Sequence, residues 1–167
     1  MLGAMKIPAA AFGLVKEAAR HLLRRPVVGV AAAARTKDGR WLLIRRGDTG
    51  DWALPGGTLE WGETIREALV REVAEEAGAR IEAFGGLAGV YSRSDRDVRF
   101  HAVTVVVRVE VSPPERPPEN PIEIREVALF TDDALPSNIG MGMGEMLENA
   151  RRMHGRSDAS TTDVFWE

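Results

Sequence analysis

The sequence predicts a one-domain α/β protein. Three observations carry that prediction. Short runs rich in Val, Leu and Ile are interspersed with segments of helical periodicity. Asp38-Gly39 sits between two of the apolar runs, which is a strong hairpin signal. The 167 residues are enough for one sizeable core.

Residues 10–25 read as a helix. Leu14, Ala18 and Leu22, with Val15, Ala19 and Leu23, form two adjacent i, i+4 rows, and Lys16, Glu17, Arg20, Arg24 and Arg25 lie elsewhere. The basic last turn suits a helix C-terminus, and Pro26 ends it. Packing on the domain or on a second subunit is the first reading, and a basic membrane-surface helix the second. Val27–Arg35 and Trp41–Arg46 are strand candidates joined by the Thr36–Arg40 turn. Gly47–Asp51 is a polar loop, and Trp52-Ala53-Leu54 a short strand broken by Pro55-Gly56-Gly57. Thr64 is placed to cap a helix, with Glu67 completing a capping box. Leu69, Val73 and Ala77 form its inner row, widened by Ile65 and Val70, and Gly78 stops it. Ile81–Phe84 and Leu87–Tyr91 are short strands, and Ser92–Asp97 is a charged loop. Phe100–Val111 is a long, β-branched buried strand. Pro113–Pro121 reads as an exposed, mobile loop. Ile122–Phe130 returns to strand, and Met141–Met153 is a final helix with Met143, Met146, Leu147 and Ala150 inward. The expected organisation is an N-terminal helix over 1–26, one domain over 27–154, and a tail over 155–167.

The bulk numbers exclude several classes of function. Net charge is −3, without the basic excess of a protein that grips long nucleic acid. There are no cysteines, so neither disulfides nor thiolate metal sites are available, and a reducing, cytoplasmic setting fits. His21, His101 and His154 are scattered. No apolar run reaches membrane-spanning length. The apolar opening from Ile7 to Val15 is followed at once by charges without a small-residue cleavage site, so no signal peptide is expected.

The chemistry concentrates between Gly56 and Gly78. Glu72, Glu75 and Glu76 share one side of the predicted helix at i, i+3 and i+4 spacing. Like charges stacked this way repel, so a purely structural helix gains nothing from them. A hard cation such as Mg²⁺, or Mn²⁺ in its place, reverses that effect, because it takes carboxylate oxygens. Arg71 and Glu63 can pair behind the carboxylates and hold them in place. Gly56 and Gly57 remove side chains where a main-chain carbonyl or a phosphate must come close. Cleavage of a pyrophosphate by metal-activated water could use all of these parts. A solvated acidic helix face is the bland alternative, and on a single Glu-Glu pair it would prevail. The whole spacing carries more weight: glycine, five residues, glutamate, seven residues, Arg-Glu, an aliphatic residue, one residue, Glu-Glu, one residue, glycine.

That pattern resembles the Nudix box of the Nudix hydrolases, met by Gly57, Glu63, Arg71, Glu72, Val73, Glu75, Glu76 and Gly78. The departure is Ala79, where the family usually has a bulkier aliphatic residue at a packing position. The flanking Trp52-Ala53-Leu54-Pro55-Gly56-Gly57 is also typical, and looser similarity runs from Val28 to about Ala150. The resemblance implies an α/β/α sandwich with a mixed sheet, and hydrolysis of a small nucleotide in which a nucleoside diphosphate is linked to another group. It implies that Glu72, Glu75 and Glu76 bind metal with the Gly56 carbonyl, oriented by Glu63 and Arg71, and that one carboxylate, Glu72 first, accepts the proton of the attacking water. A further carboxylate from a late loop often joins such sites; Glu126 is the first candidate, with Glu123 and Glu119 behind it.

Residues outside the box choose the substrate. One of Arg45 and Arg46 would face the pocket and its phosphates, since consecutive strand residues point to opposite faces; an ordinary surface arginine is the alternative. Asn138 resembles the position at which MutT-like members set an asparagine against the base, although a loop or helix cap is equally natural there. His101 reads first as structural and second as a substrate contact. Trp52 and Trp61 read as core packing before base stacking. Tyr91–His101 loosely resembles ADP-ribose and nucleotide-sugar pyrophosphatases. ADP-ribose or a nucleotide sugar is therefore the first expectation. A MutT-like nucleoside triphosphate substrate is the second, and a Nudix module without catalysis the third. A homodimer through the N-terminal helix or the Phe165-Trp166 tail is compatible with the sequence.

Overall fold

In a computed structural model, the chain is described at residues 25–96, 101–154 and 165–166. The expected N-terminal helix and most of the C-terminal tail lie outside these residues.

The Asp38-Gly39 signal becomes a hairpin between β1 (Val27–Thr36) and β2 (Trp41–Arg46), with Gly39 at φ +89°. β3 (Trp52–Ala53) pairs antiparallel with β2. The glycine run expected only to break that strand forms one of its own, β4 (Gly56–Thr58), antiparallel to the first half of β1. A side chain at Gly56 would put its Cβ 2.1 Å from the Val30 carbonyl oxygen, so only glycine lets these strands close.

Helix α1 (Ile65–Ala77) has the termini its sequence encodes. Thr64 and Glu67 complete the capping box, and Gly78 stops the helix at φ +61°. β5 (Ile81–Tyr91) is one strand, not two. Gly85 and Gly86 sit where its register against β6 (Ala102–Val111) shifts, so they bulge the strand without ending it. β7 (Ile124–Phe130) pairs with β2, and α2 (Met143–His154) follows. Helix α2 starts two residues later than its pattern suggests, because Met141 and Gly142 are both left-handed. β8 (Phe165–Trp166) adds to the far edge of β5.

Among the described residues these strands form a single sheet ordered β3-β2-β1-β6-β5-β8, with β4 beside β1 and β7 beside β2. β1 runs parallel to β6 and antiparallel to its other neighbours, so the sheet is mixed. Alternate residues of β1 face opposite layers. Val30, Ala32 and Ala34 pack with Leu69 and Val73 of α1. Ala31 and Ala33 pack with Met146, Leu147 and Ala150 of α2. The result is the expected α/β/α sandwich.

The Pro113–Pro121 segment is exposed, as its composition suggests, but it is tied down. The Glu115 and Glu119 amides donate to the Gly78 and Glu75 carbonyls at 2.9 and 2.8 Å, and Arg116 donates to the Ala74 carbonyl at 2.9 Å. It caps carbonyls that the end of α1 would otherwise leave open.

Candidate active site

A cleft of about 440 Å³ opens where α1, β4 and the start of β1 meet. One wall is acidic: Glu72, Glu75 and Glu76 from α1, with Glu123 from the turn before β7. Gly56 and Gly57 line its floor. The opposite wall carries Tyr91, Arg93, Arg96, Met141 and Met143.

Packing fixes the acidic wall. Glu72 and Glu76 lie on the buried face of α1, each only 8% exposed, in line with Leu69. A Glu76 oxygen accepts the Gly56 amide at 2.8 Å. The Glu72 carboxylate lies against Gly57, where an added Cβ would stand 2.2 Å from its Oε1. Arg71 binds both oxygens of Glu63, at 2.9 and 3.0 Å, and donates to Glu72 at 2.8 Å. It also reaches Glu75 at 3.5 Å. Glu63 in turn accepts the Glu60 amide at 3.0 Å.

Burial makes these carboxylates unusual. It pushes Glu76 up from 4.5 to about 8, against the Gly56 amide, with Glu72 and Glu123 adding to the rise and Arg46 opposing it. Burial also raises Glu72, although the adjacent Arg71 pulls it down. Glu63 goes the other way, lowered by its bond to Arg71 and by the Glu60 amide. Two carboxylates buried side by side, Glu72 bonded to Arg71 and Glu76 to a main-chain amide, are the electrostatic complement of a further cation.

The donors are hard oxygens, as a Mg²⁺ or Mn²⁺ site requires. They share one wall without converging. Among the described residues, no three His, Asp or Glu side chains gather around one point. Glu72 is turned to Arg71 and Glu76 to the Gly56 amide. By its chemistry, carboxylate oxygens along one wall of an open cleft, the donor set fits a divalent cation.

The other expected positions divide. Of the consecutive arginines, Arg46 lines the cleft while held by Asp48 at 3.0 Å, whereas Arg45 pairs with Glu126 at 3.3 Å away from it. Glu126 is therefore not part of the acidic wall. A bulge between Arg45 and Arg46 sets Glu126 opposite Arg45, and Glu123 is the late carboxylate that reaches the cleft. His101 is exposed, its Nε2 at 2.7 Å from the Ser92 carbonyl, and it does not line the cleft. Asn138 neither lines it nor caps α2; its carbonyl accepts the Trp52 amide at 3.0 Å. Trp52 packs in the core edge-on to Phe130, but Trp61 is 105% exposed and packs on nothing.

The opposite wall was anticipated from the sequence only as the Tyr91–His101 stretch, not by its geometry. Arg96, its side chain 8% exposed, lies over the Tyr91 ring and binds the Gly142 carbonyl and Glu145 at 3.2 and 2.9 Å. It thereby joins the loop after β5 to the loop before α2. The local signals for it were the charged Ser92–Asp97 run and the loose family resemblance of Tyr91–His101.

The family model of the NUDIX domain matches residues 23–150. The chain belongs to the Nudix family. Within it, the chain is 47% identical over 94 residues to an ADP-ribose pyrophosphatase of Methanocaldococcus jannaschii, covering 54% of each chain. It is 48% identical over 71 residues to a MutT-like protein of Streptomyces ambofaciens, covering 42% of this chain and 46% of that one. The chain spans about half the length of these curated relatives. The crystal structure of a MutT NUDIX hydrolase from Burkholderia pseudomallei superposes with a TM-score of 0.66 at 32% identity, over 75% of this chain and 98% of that one. Gly57, the Arg71–Glu63 pair and the three glutamates of α1 stand at the positions by which the sequence resembles the Nudix box, inside the matched residues.

Proposed function

We propose that the chain is a divalent-metal-dependent pyrophosphohydrolase that cleaves the diphosphate of a small nucleotide, ADP-ribose or a nucleoside diphosphate sugar. The observation that carries the reading is the buried Glu72–Glu76 pair against Gly56 and Gly57 in an open cleft. Burying two carboxylates side by side costs stability unless a cation joins them, and a functional site is the usual reason to retain such a cost.

Glu72, Glu75 and Glu76 would hold Mg²⁺ or Mn²⁺ with the Gly56 carbonyl, and Glu123 is the additional carboxylate within reach of the cleft. The bound ion supplies charge neutralisation at the diphosphate and a water that deprotonates readily. The chain does the rest. Arg71, clamped by Glu63, fixes the direction of Glu72. Gly57 leaves room for that carboxylate, which a Cβ there would displace. Glu72, with its proton affinity raised by burial, is suited to accept the proton of the attacking water as one P–O bond of the anhydride breaks and the leaving phosphate departs. Arg46 brings positive charge to the same cleft.

The ADP-ribose pyrophosphatase among the relatives supports the first substrate class. The Burkholderia MutT NUDIX hydrolase, matched over nearly its whole length, supports the MutT-like class as the second. Products separate them when the purified chain is incubated with Mg²⁺ and each nucleotide. Monophosphate plus sugar phosphate is the expected result. Inorganic pyrophosphate from a triphosphate would favour the second class, and no turnover of any diphosphate or triphosphate would overturn the proposal.

A further inference from the structure

The wall facing the glutamates ends in a turn of uncommon shape. Met141 and Gly142, just ahead of α2, are both left-handed, at φ +54° and +67°. Among the described residues Met141 is the one non-glycine with positive φ. Such a conformation persists only where its surroundings over-determine it, and it gathers at ligand clamps. Here the clamp is Arg96. One guanidinium nitrogen donates to the Gly142 carbonyl at 3.2 Å, and a second donates to Glu145, in the first turn of α2, at 2.9 Å. A Cβ on Gly142 would stand 2.7 Å from the first nitrogen, so the guanidinium lies directly on the turn. Its carbon is 4.9 Å from the centre of the Tyr91 ring, and the Tyr91 hydroxyl accepts a bond from Asn149 of α2 at 3.0 Å. Arg96 thus ties the end of β5, the turn and α2 into one unit.

We propose that Arg96 is a positioning residue for substrate choice: it holds Met141 against the cleft, where Met141 and Met143 receive the aromatic base of the nucleotide. The ligand class rests on the nucleotide-hydrolase reading above. Both methionines are half-buried and line the cleft opposite the acidic wall. Between the two walls the sheet presents small groups. Gly29 of β1 pairs with Thr104 of β6, and Ala102 stands two residues before Thr104. A flat ring can lie there. Thioethers contact aromatic rings favourably, whereas sugar hydroxyls would give up water against them without gaining partners. A cation at the glutamates draws the phosphates to the other wall, so base and diphosphate take opposite sides of one cleft. Without Arg96 the turn can relax to negative φ at Met141, which re-aims that side chain and unmakes the wall.

The chain has six methionines, few enough for each methyl group to be followed by NMR after labelling with methyl-¹³C methionine. Met141→Leu and Met143→Leu assign the two signals that matter. The full chain with Mg²⁺ is titrated with AMP and, separately, with ribose 5-phosphate. AMP should move both signals and ribose 5-phosphate neither. Arg96→Gln should displace the Met141 signal before any ligand is added. It should also weaken AMP about 10-fold, as when the competent turn is populated a tenth of the time. Arg96→Lys, which keeps the charge beside Glu145, should recover part of that loss. An unmoved Met141 signal with wild-type AMP affinity in Arg96→Gln would overturn the proposal. So would ribose 5-phosphate moving the methionines in place of AMP, or no response to AMP in the wild type. If Arg96→Gln fails to fold, Met141→Gly carries the test. Glycine takes the left-handed turn without strain, so Tm should hold while AMP weakens; a lower Tm with unchanged affinity would make Met141 structural only. The titration needs no turnover, so a wild type that hydrolyses nothing would sink the functional reading and leave these outcomes readable.

Discussion

Glu76 carries the largest electrostatic strain in the site. Its folded-state pKa is raised, to about 8 from 4.5. The folded protein therefore holds this proton more tightly than the unfolded chain does. The stability that this provides is complete below pH 4.5 and is lost as pH rises through 8. Metal-free protein should accordingly show a falling Tm from about pH 5 to pH 9, and Glu76→Gln should flatten much of that fall. An unchanged slope in the variant would show that Glu76 is not the group responsible. Gly57→Ala tests the floor. Its Cβ would collide with the Glu72 carboxylate, so turnover should drop about 100-fold, as for disrupted metal-supporting contacts. Tm should move little, because a carboxylate can swing into the cleft. Wild-type turnover with a shifted Tm would contradict this account. At this scale the sequence was informative where spacing is local. The three glutamates and Arg71 lie within one helix, so their common side follows from helical geometry alone. Glu126 against Glu123 was not legible, because the choice depends on a bulge between Arg45 and Arg46 that pairing with a distant strand creates.

Helix α1 is the element that aims the site, and its ends hold it in place. Thr64→Ala removes the capping box and should cost about 1 kcal/mol in urea unfolding. Gly78→Ala should cost more, roughly 2 kcal/mol. It forces an alanine into a left-handed conformation, with its Cβ 1.8 Å from the Arg116 carbonyl oxygen. A smaller loss at Gly78 than at Thr64 would mean that the Pro113–Pro121 segment yields easily. Both caps were readable, since a cap is written in three or four adjacent residues. The anchoring of that segment was not. Arg116 and its partner Ala74 are 42 residues apart, and composition alone suggests mobility. Gly85-Gly86 misled in the opposite direction. Two glycines usually punctuate, but here they bulge a strand that β6 holds along its length.

Across the whole molecule, an asymmetric sheet separates two tasks. The α2 face and the end of β1 open into the cleft, while the α1 face supplies the carboxylates. The layers were foreseen from the family resemblance of the box, and they agree with the need to cover each face of a sheet. The substrate-facing wall was foreseen only as the Tyr91–His101 stretch and not as a geometry, because Arg96, Tyr91 and Met141 meet only after β5 and α2 pack against each other. That wall is where substrate class should be decided. If it reads the group beyond the diphosphate, Arg93→Ala should raise KM several-fold for ADP-ribose with kcat nearly unchanged, since contacts made equally before and during reaction affect binding alone. An equal fall in kcat at constant KM would place Arg93 in the chemical step instead.

The central claim is that the buried glutamates of α1 serve a metal-dependent cleavage. Mg²⁺-dependent hydrolysis of ADP-ribose by the wild-type chain and by Glu76→Gln, followed by chromatography of the products, tests it most directly. The wild type should yield AMP and ribose 5-phosphate only with the metal, and the variant should lose about 1,000-fold or more of that rate while remaining folded. Near-normal turnover of folded Glu76→Gln at saturating Mg²⁺ would contradict the account.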